Sequence, residues 1–221
     1  MKNKIVLLLL VLLFINCSSK KPDINDEYRS YQIAKGLDPS VKRPFQHFKD
    51  FLAYQDSIKK QNLIKSPFLR VNKVYTYSSG AFFTFSVFCD EGELYTANID
   101  TDSEYLTTPE NGIIKLKRPI RLSSFADFEL TNDILKVSIN YKTPFKRWDE
   151  NKTGYIKNDT LHFTASYISK KYEYKKKWWA KTHKTDFINI YQPNLRANKI
   201  KDSQSGFDAF IITGEFNEVV D

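Results

Sequence analysis

The chain has little of four residues that often carry chemistry: in 221 residues it has two cysteines, seven glycines, three histidines and one methionine. Cys17 and Cys89 are too few for a disulfide-stapled fold. Glycine is nowhere clustered into a phosphate-cradling loop, and neither His-Glu-x-x-His nor Gly-x-Ser-x-Gly occurs. His47 and His162 have no second metal ligand at the spacing a bound ion needs, and His183 sits in a lysine-rich run. These gaps argue against an enzyme, a metal and a cofactor. Asp100-Thr101-Asp102-Ser103-Glu104 alternates oxygen ligands as a calcium loop does. Tyr105 and Asn111 stand where such a loop needs Gly and an acid, so a solvated turn is expected.

Aromatic residues are abundant, with 17 Phe and 13 Tyr, and aromatics favour strands. The length supports one domain with a real core. The formal charge of +8 suits anionic partners such as lipid headgroups, although a lysine-rich surface also explains it.

The N-terminus is unlike the rest. Lys2 and Lys4 precede an unbroken apolar run from Ile5 to Ile15. That run fits the core of a signal peptide and is shorter than the roughly 20 residues of a spanning helix. It ends at Asn16-Cys17-Ser18-Ser19-Lys20. This arrangement resembles the lipobox of bacterial lipoproteins, in the looser form of Bacteroidota, with Asn16 in place of the usual small residue and Phe14 in place of Leu. The resemblance implies cleavage after residue 16, acylation of Cys17 (palmitate or a similar chain) and a membrane anchor. One acyl chain holds only marginally, at about 0.8 kcal/mol per buried CH₂, whereas two or three hold stably. Ser18, in place of the Asp that retains enterobacterial lipoproteins in the inner membrane, implies the outer membrane. Lys20 and Lys21, in place of an acidic cluster, imply its periplasmic face. Residues 17–43, rich in Lys, Asp, Asn and Glu, read as the lipidated Cys and a flexible tether.

Pro44 opens a helix over 44–62. Phe45, Phe48, Phe51, Leu52 and Ile58 recur at helical spacing, and this amphipathic stripe is expected to pack on a sheet. From residue 66 onward the period changes to two. Strands are predicted over 69–78, 80–89, 93–99, 112–118, 125–130, 134–141, 153–157, 160–168, 171–179, 185–191 and 207–216. Two hairpins turn at Asn132-Asp133 and Asn158-Asp159. Beyond these turns Leu135, Val137, Ile139 and Tyr141 share a face, as do Leu161, Phe163, Ala165 and Tyr167, which argues an antiparallel sheet with one wet side. Ala81, Phe83, Phe85, Val87 and Cys89 likewise share an apolar face, so Cys89 is expected as a buried structural thiol. The fold class is therefore mainly β: an antiparallel barrel or a β-sandwich, with one N-terminal amphipathic helix. Gly154-Tyr155, Asp159-Thr160-Leu161 and Phe163 are similar in wording to late strands of lipocalin-like domains in Bacteroidota lipoproteins, which implies a barrel.

The segment around Lys175, Lys176, Lys177, Trp178 and Trp179 interleaves cations with aromatics. It suits contact with a lipid headgroup layer or an envelope glycan, or else an edge hairpin blunted by lysine. Nucleic acid is not an expected partner of an exported, tethered chain. Asp56-Ser57-Ile58 and Asp159-Thr160-Leu161 resemble the short O-glycosylation sequon of Bacteroidota. Two functions compete: a module binding an apolar or amphipathic envelope ligand, and a non-enzymatic protein docking on another envelope protein, for instance through the run from Phe207 to Phe216. A cavity of about 300 Å³ or more favours the first, and a filled interior with an exposed apolar patch the second.

Overall fold

A computed structural model describes residues 24–39, 48–144, 147–170, 182–203 and 205–218. The chain divides into two compact units at Asp56/Ser57.

The first unit is helical. α1 spans Ile24–Ala34, and α2, Phe48–Lys65, begins here. The segment read as a tether thus contains an ordered helix, and the described residues hold two helices instead of one. Asp26 and Glu27 in the first turn of α1 complement its dipole. Tyr28 and Tyr31, one turn apart, give it something to bury. Both rings meet Phe51, at 5.2 and 5.5 Å, and Tyr31 also meets Tyr54 at 5.2 Å. The polar composition of the segment hid these two tyrosines.

The second unit is β-rich. Its strands are β1 (Val74–Ser78), β2 (Phe82–Phe88), β3 (Glu93–Asp100), β4 (Ile113–Lys115), β5 (Ile120–Thr131), β6 (Ile134–Lys142), β7 (Arg147–Lys157), β8 (Thr160–Lys170), β9 (Thr182–Tyr191), β10 (Leu195–Lys201) and β11 (Asp208–Asn217). Eight of them close a ring in the order β5–β3–β2–β1–β9–β8–β7–β6 and back to β5. Every neighbouring pair is antiparallel. The protein is an antiparallel barrel, not a sandwich. Both Asn-Asp hairpins turn in two residues, with Thr131 opposite Ile134 and Lys157 opposite Thr160. Asn132, Asn158 and Asp159 take the positive φ that such turns require.

β5 is long enough to serve two neighbours along one edge. Residues 127–131 pair with β6, and Ile120 to Ser123 pair with β11. β10 and β4 flank β11. These three strands form an outer layer over the barrel wall. The two faces of β1, β2 and β3 therefore belong to different cores. Outward, Val74, Phe83, Phe85, Val87, Cys89 and Tyr95 pack with Phe210, Ile212 and Phe216 of β11, Ile114 of β4 and Leu195 of β10. The Phe216 ring stands edge-on to Phe83 and Phe85 at 5.1 and 5.3 Å. Gln192, 1% exposed, pins this layer: its Nε2 donates to Thr76 Oγ1 at 2.8 Å, and its Oε1 accepts from the Asn217 N–H at 3.1 Å. Inward, Tyr75, Phe88, Leu94, Phe128, Leu135, Ile156 and Leu161 fill one end of the barrel, together with Leu63 from the end of α2 and Leu69. Pro67 disfavours helix at Ser66 and stops α2 there.

The helix stripe is corrected in part. Phe51 is buried, but Phe48, Leu52 and Ile58 remain more than a third exposed, and Leu63, outside the predicted stripe, reaches the barrel floor. β10 was not predicted, because Leu-Arg-Ala-Asn-Lys-Ile-Lys is too polar to signal a strand. It survives as an edge strand paired to β11 alone, with lysines of the kind that deter further pairing.

Candidate functional site

The inner face of the barrel is filled at one end only. Beyond Phe88, Leu94, Val137 and Phe163, which belong to the inner core, lies a cavity of about 340 Å³. Its wall is aromatic on one side, where Phe163 of β8 and Phe187 of β9 stack at 4.7 Å and Tyr77 of β1 leans on Phe187 at 5.5 Å. The other side is a polar step on β2 and β3. Thr84 stands opposite Asn98 and donates to its Oδ1 at 2.8 Å, and Ser86 stands opposite Thr96. Solvent reaches the cavity past Asn98 and Phe125, both of which are exposed.

Three β-bulges shape this region, because each inserts a residue and re-aims the chain beyond it. The one between β3 and β5 leaves Phe125 unpaired opposite Leu94/Tyr95 and places it in the lining. Those at Phe163/Ala165 and Thr153/Gly154 shift β8 against both neighbours. Ser166 then stands opposite Lys152, which lines the cavity. The expected grouping of Leu161 and Phe163 with Ala165 and Tyr167 is therefore overturned: the bulge moves Ser166 onto the face of Leu161 and Phe163. Gly154 permits this approach, since a Cβ there would collide with the His162 carbonyl.

Polar groups in the lining are incompletely matched. Asn189 and Ser86 are 4% and 5% exposed, yet neither side chain has a hydrogen bond among the described residues. Their polar atoms open onto the cavity and not onto a protein partner, so a ligand in that space can meet them. Among the described residues Lys152 is the one charged side chain in the lining. Its Nζ lies 5.4 Å from the centre of the Phe187 ring and 3.9 Å from Glu150 Oε1, a loose pair.

A second hollow, about 550 Å³ and broadly open, lies on the outside between Tyr95, Arg121, Lys201 and Phe207. Most of the charges around it are paired: Arg121 with Asp202 at 2.9 Å, and Lys199 with Glu91 at 2.6 Å and Asp208 at 3.0 Å. Burial alone would lower the Lys199 pKa, but the hydrogen bonds it donates to Glu91 and Asp208 outweigh it and raise it.

The residues singled out from sequence are scattered. Cys17, His47 and the run Lys175, Lys176, Lys177, Trp178 and Trp179 lie outside the described residues, as does the predicted strand 171–179. His162 stacks on Tyr155 at 4.8 Å on the outer face. His183 is exposed on β9. Asp100 to Glu104 form the turn after β3, with Glu104 bonded to Arg118 at 3.1 Å. Asp159 of the Asp159-Thr160-Leu161 triplet is clamped by Arg70, Nε and Nη2 donating to its two oxygens at 2.7 and 2.8 Å. Cys89 is buried, and burial pushes its thiol pKa up to about 11. In the run from Phe207 to Phe216, Phe207 is 75% exposed, whereas Ala209, Phe210, Ile212 and Phe216 are buried in the outer core.

Sequence reasoning missed Ser86, Thr84, Lys152 and Asn189. It names only the apolar face through Phe83, Phe85 and Val87 and says nothing of the Thr84 and Ser86 side, although residues 80–89 contain no charge, which signals a strand with neither face in bulk water. No signal marked Lys152 or Asn189. Among the described residues no helix is long and apolar enough to cross a membrane. No family model, curated protein or solved structure matches the chain.

Proposed function

We propose that this chain is a lipid-anchored protein of the bacterial cell envelope whose barrel binds a small apolar or amphipathic envelope ligand. One observation carries the reading: the barrel is packed solid at one end and leaves about 340 Å³ between stacked aromatics and unmatched polar groups at the other. Ligand sites combine such an apolar wall with a few placed polar groups, and this volume lies near the lower end of their range. At about 30 Å³ per water molecule the space equals roughly eleven waters, so the ligand is small. The apolar run from Ile5 to Ile15 before Cys17 supports a lipid anchor, Ser18 the outer membrane and Lys20 and Lys21 its periplasmic face, and no catalytic step is part of the reading.

Native mass spectrometry of the protein purified from its own cell envelope tests the binding. A discrete adduct, lost on unfolding and absent from Thr84→Phe, is the expected result. A folded, adduct-free protein that also ignores apolar probes would remove the reading. The anchor has its own test. Cys17→Ala should take up no fatty-acid label and should leave the membrane fraction, and undiminished labelling would refute it.

Docking on another envelope protein is a second reading, favoured by apolar side chains left in solvent. Phe125 is 46% and Ile168 51% exposed, and Tyr141, 37% exposed, stacks on Trp148 at 5.2 Å. Crosslinking in intact cells would capture such a partner, and loss of the crosslink in Ile168→Glu would place it on this surface.

A further inference from the structure

Resting on the cavity reading above, we propose that the barrel selects anions: small, flat, apolar molecules carrying a carboxylate, whose charge is met by Lys152 and whose polar body atoms are met by Asn189 and Ser86. Charge is the first determinant. Among the described residues the cavity lining contains one ion, the Lys152 ammonium, and it is a cation. The Lys152 side chain is half-buried, 29% exposed, so a charged ligand at the cavity can reach it. Glu150 at 3.9 Å is at the limit of an ion pair, and the Phe187 ring at 5.4 Å offers only its π face. Neither uses all three N–H donors of the ammonium, so an incoming carboxylate finds donors ready.

Shape supplies the second part. Phe163 and Phe187 stack nearly parallel, 16° apart, and Tyr77 closes on Phe187 from β1. A planar body matches this wall better than a branched or globular one, because flat rings gain offset or edge contact with the aromatics. The third part is the polar remainder. Asn189 and Ser86, nearly fully buried and without hydrogen bonds among the described residues, face the same space from β9 and β2. They suit a carbonyl or hydroxyl on the ligand body and discriminate against plain hydrocarbon, whose entry leaves them unmatched. A cationic amphiphile of the same size meets Lys152 with like charge and is excluded.

The test compares two probes of one skeleton, naphthalene-2-carboxylate and naphthalene-2-methanol, titrated calorimetrically into the purified full-length protein. The expected result is a preference of roughly tenfold or more for the carboxylate. Lys152→Met should collapse this ratio towards one, and Lys152→Arg, which keeps the charge, should preserve it. Thr84→Phe, which fills the cavity, should remove saturable binding of both probes. Equal affinity of the native protein for both probes, or an undiminished ratio in Lys152→Met, overturns the proposal while leaving an occupied cavity. Absence of saturable binding by either probe in the folded native protein overturns both the proposal and the cavity reading beneath it.

Discussion

The outer core and the barrel interior are built from opposite faces of the same strands, and they are finished differently. On β2, Phe83, Phe85 and Val87, with Cys89 just beyond its end, face the outer layer and are at most 4% exposed. Their neighbours Phe82, Thr84 and Ser86 face a cavity. Alternation puts both sets within one strand, so the difference comes from what lies opposite. β11 fills the outer side with Phe210, Ile212 and Phe216. The ring of eight strands encloses more width than its side chains occupy at one end, and there the protein leaves polar groups. One face stabilises the wall, and the other is free to take a ligand.

The largest effect that would break this comparison is a truncation on each side. Phe85→Ala opens a hole in a filled core and should cost about 3–5 kcal/mol in urea unfolding. Phe187→Ala widens a space that already exists and should cost only about 1–2 kcal/mol, with its main effect on ligand affinity. Equal costs would mean that the cavity wall is as tightly packed as the outer core. Next in size is Gly154→Ala, expected to cost about 1–3 kcal/mol by forcing β7 from β8 at the bulge that sets Ser166 opposite Lys152.

How much of this was legible in the sequence follows the same division. The period-two runs and the two Asn-Asp turns identified the strands and hairpins, because each depends on neighbours within a dozen residues. The barrel had to be left beside a sandwich as an alternative, since the closure of β5 on β6 and β3 is a long-range choice. The bulges defeated the reading of β8: one extra residue at Thr164 reverses every face assignment after it, and nothing in Phe163-Thr164-Ala165 marks it. The cavity was illegible for a related reason. Thr84 and Ser86 look like a wet face, and only the ring around them makes that face an interior.

Smaller effects sharpen the comparison through pH. Each core buries a weak acid. Burial lifts the Cys89 thiol in the outer core to about 11 from 9.0, and the Tyr75 hydroxyl in the inner core to about 12 from 10.0. Between the unfolded and folded values the unfolded chain has released protons that the folded chain still holds, so stability must fall as pH rises from about 9 to 12. Unfolding midpoints measured across that range should show the fall. Cys89→Ala should remove its lower part, leaving the tyrosine limb, and an unchanged profile in that variant would assign the fall elsewhere. The native thiol should correspondingly resist alkylation at neutral pH until the fold opens.

The smallest expected effect is at acid pH. Burial would raise the Asp90 pKa, but hydrogen bonds with Lys60, 3.2 Å away, and Cys89 outweigh it and hold the carboxyl below its usual 3.8. That contribution is present above the unfolded value and disappears as pH falls through the folded one. Asp90→Asn should flatten the acid limb of the stability profile below about pH 4, and an identical limb would show that the pair with Lys60 contributes nothing.

The shared edge of β5 also sets an order of manufacture. The ring of eight strands is complete in sequence at Tyr191, before β10 and β11 exist. A chain halted there could close its barrel and still leave Phe83, Phe85, Val87 and Tyr95 bare to the surroundings. Such a patch is sticky, and partly made or clipped molecules carrying it are the ones prone to aggregate or be degraded. The final strand therefore acts as a seal of completeness, separating finished molecules from those still open to quality control.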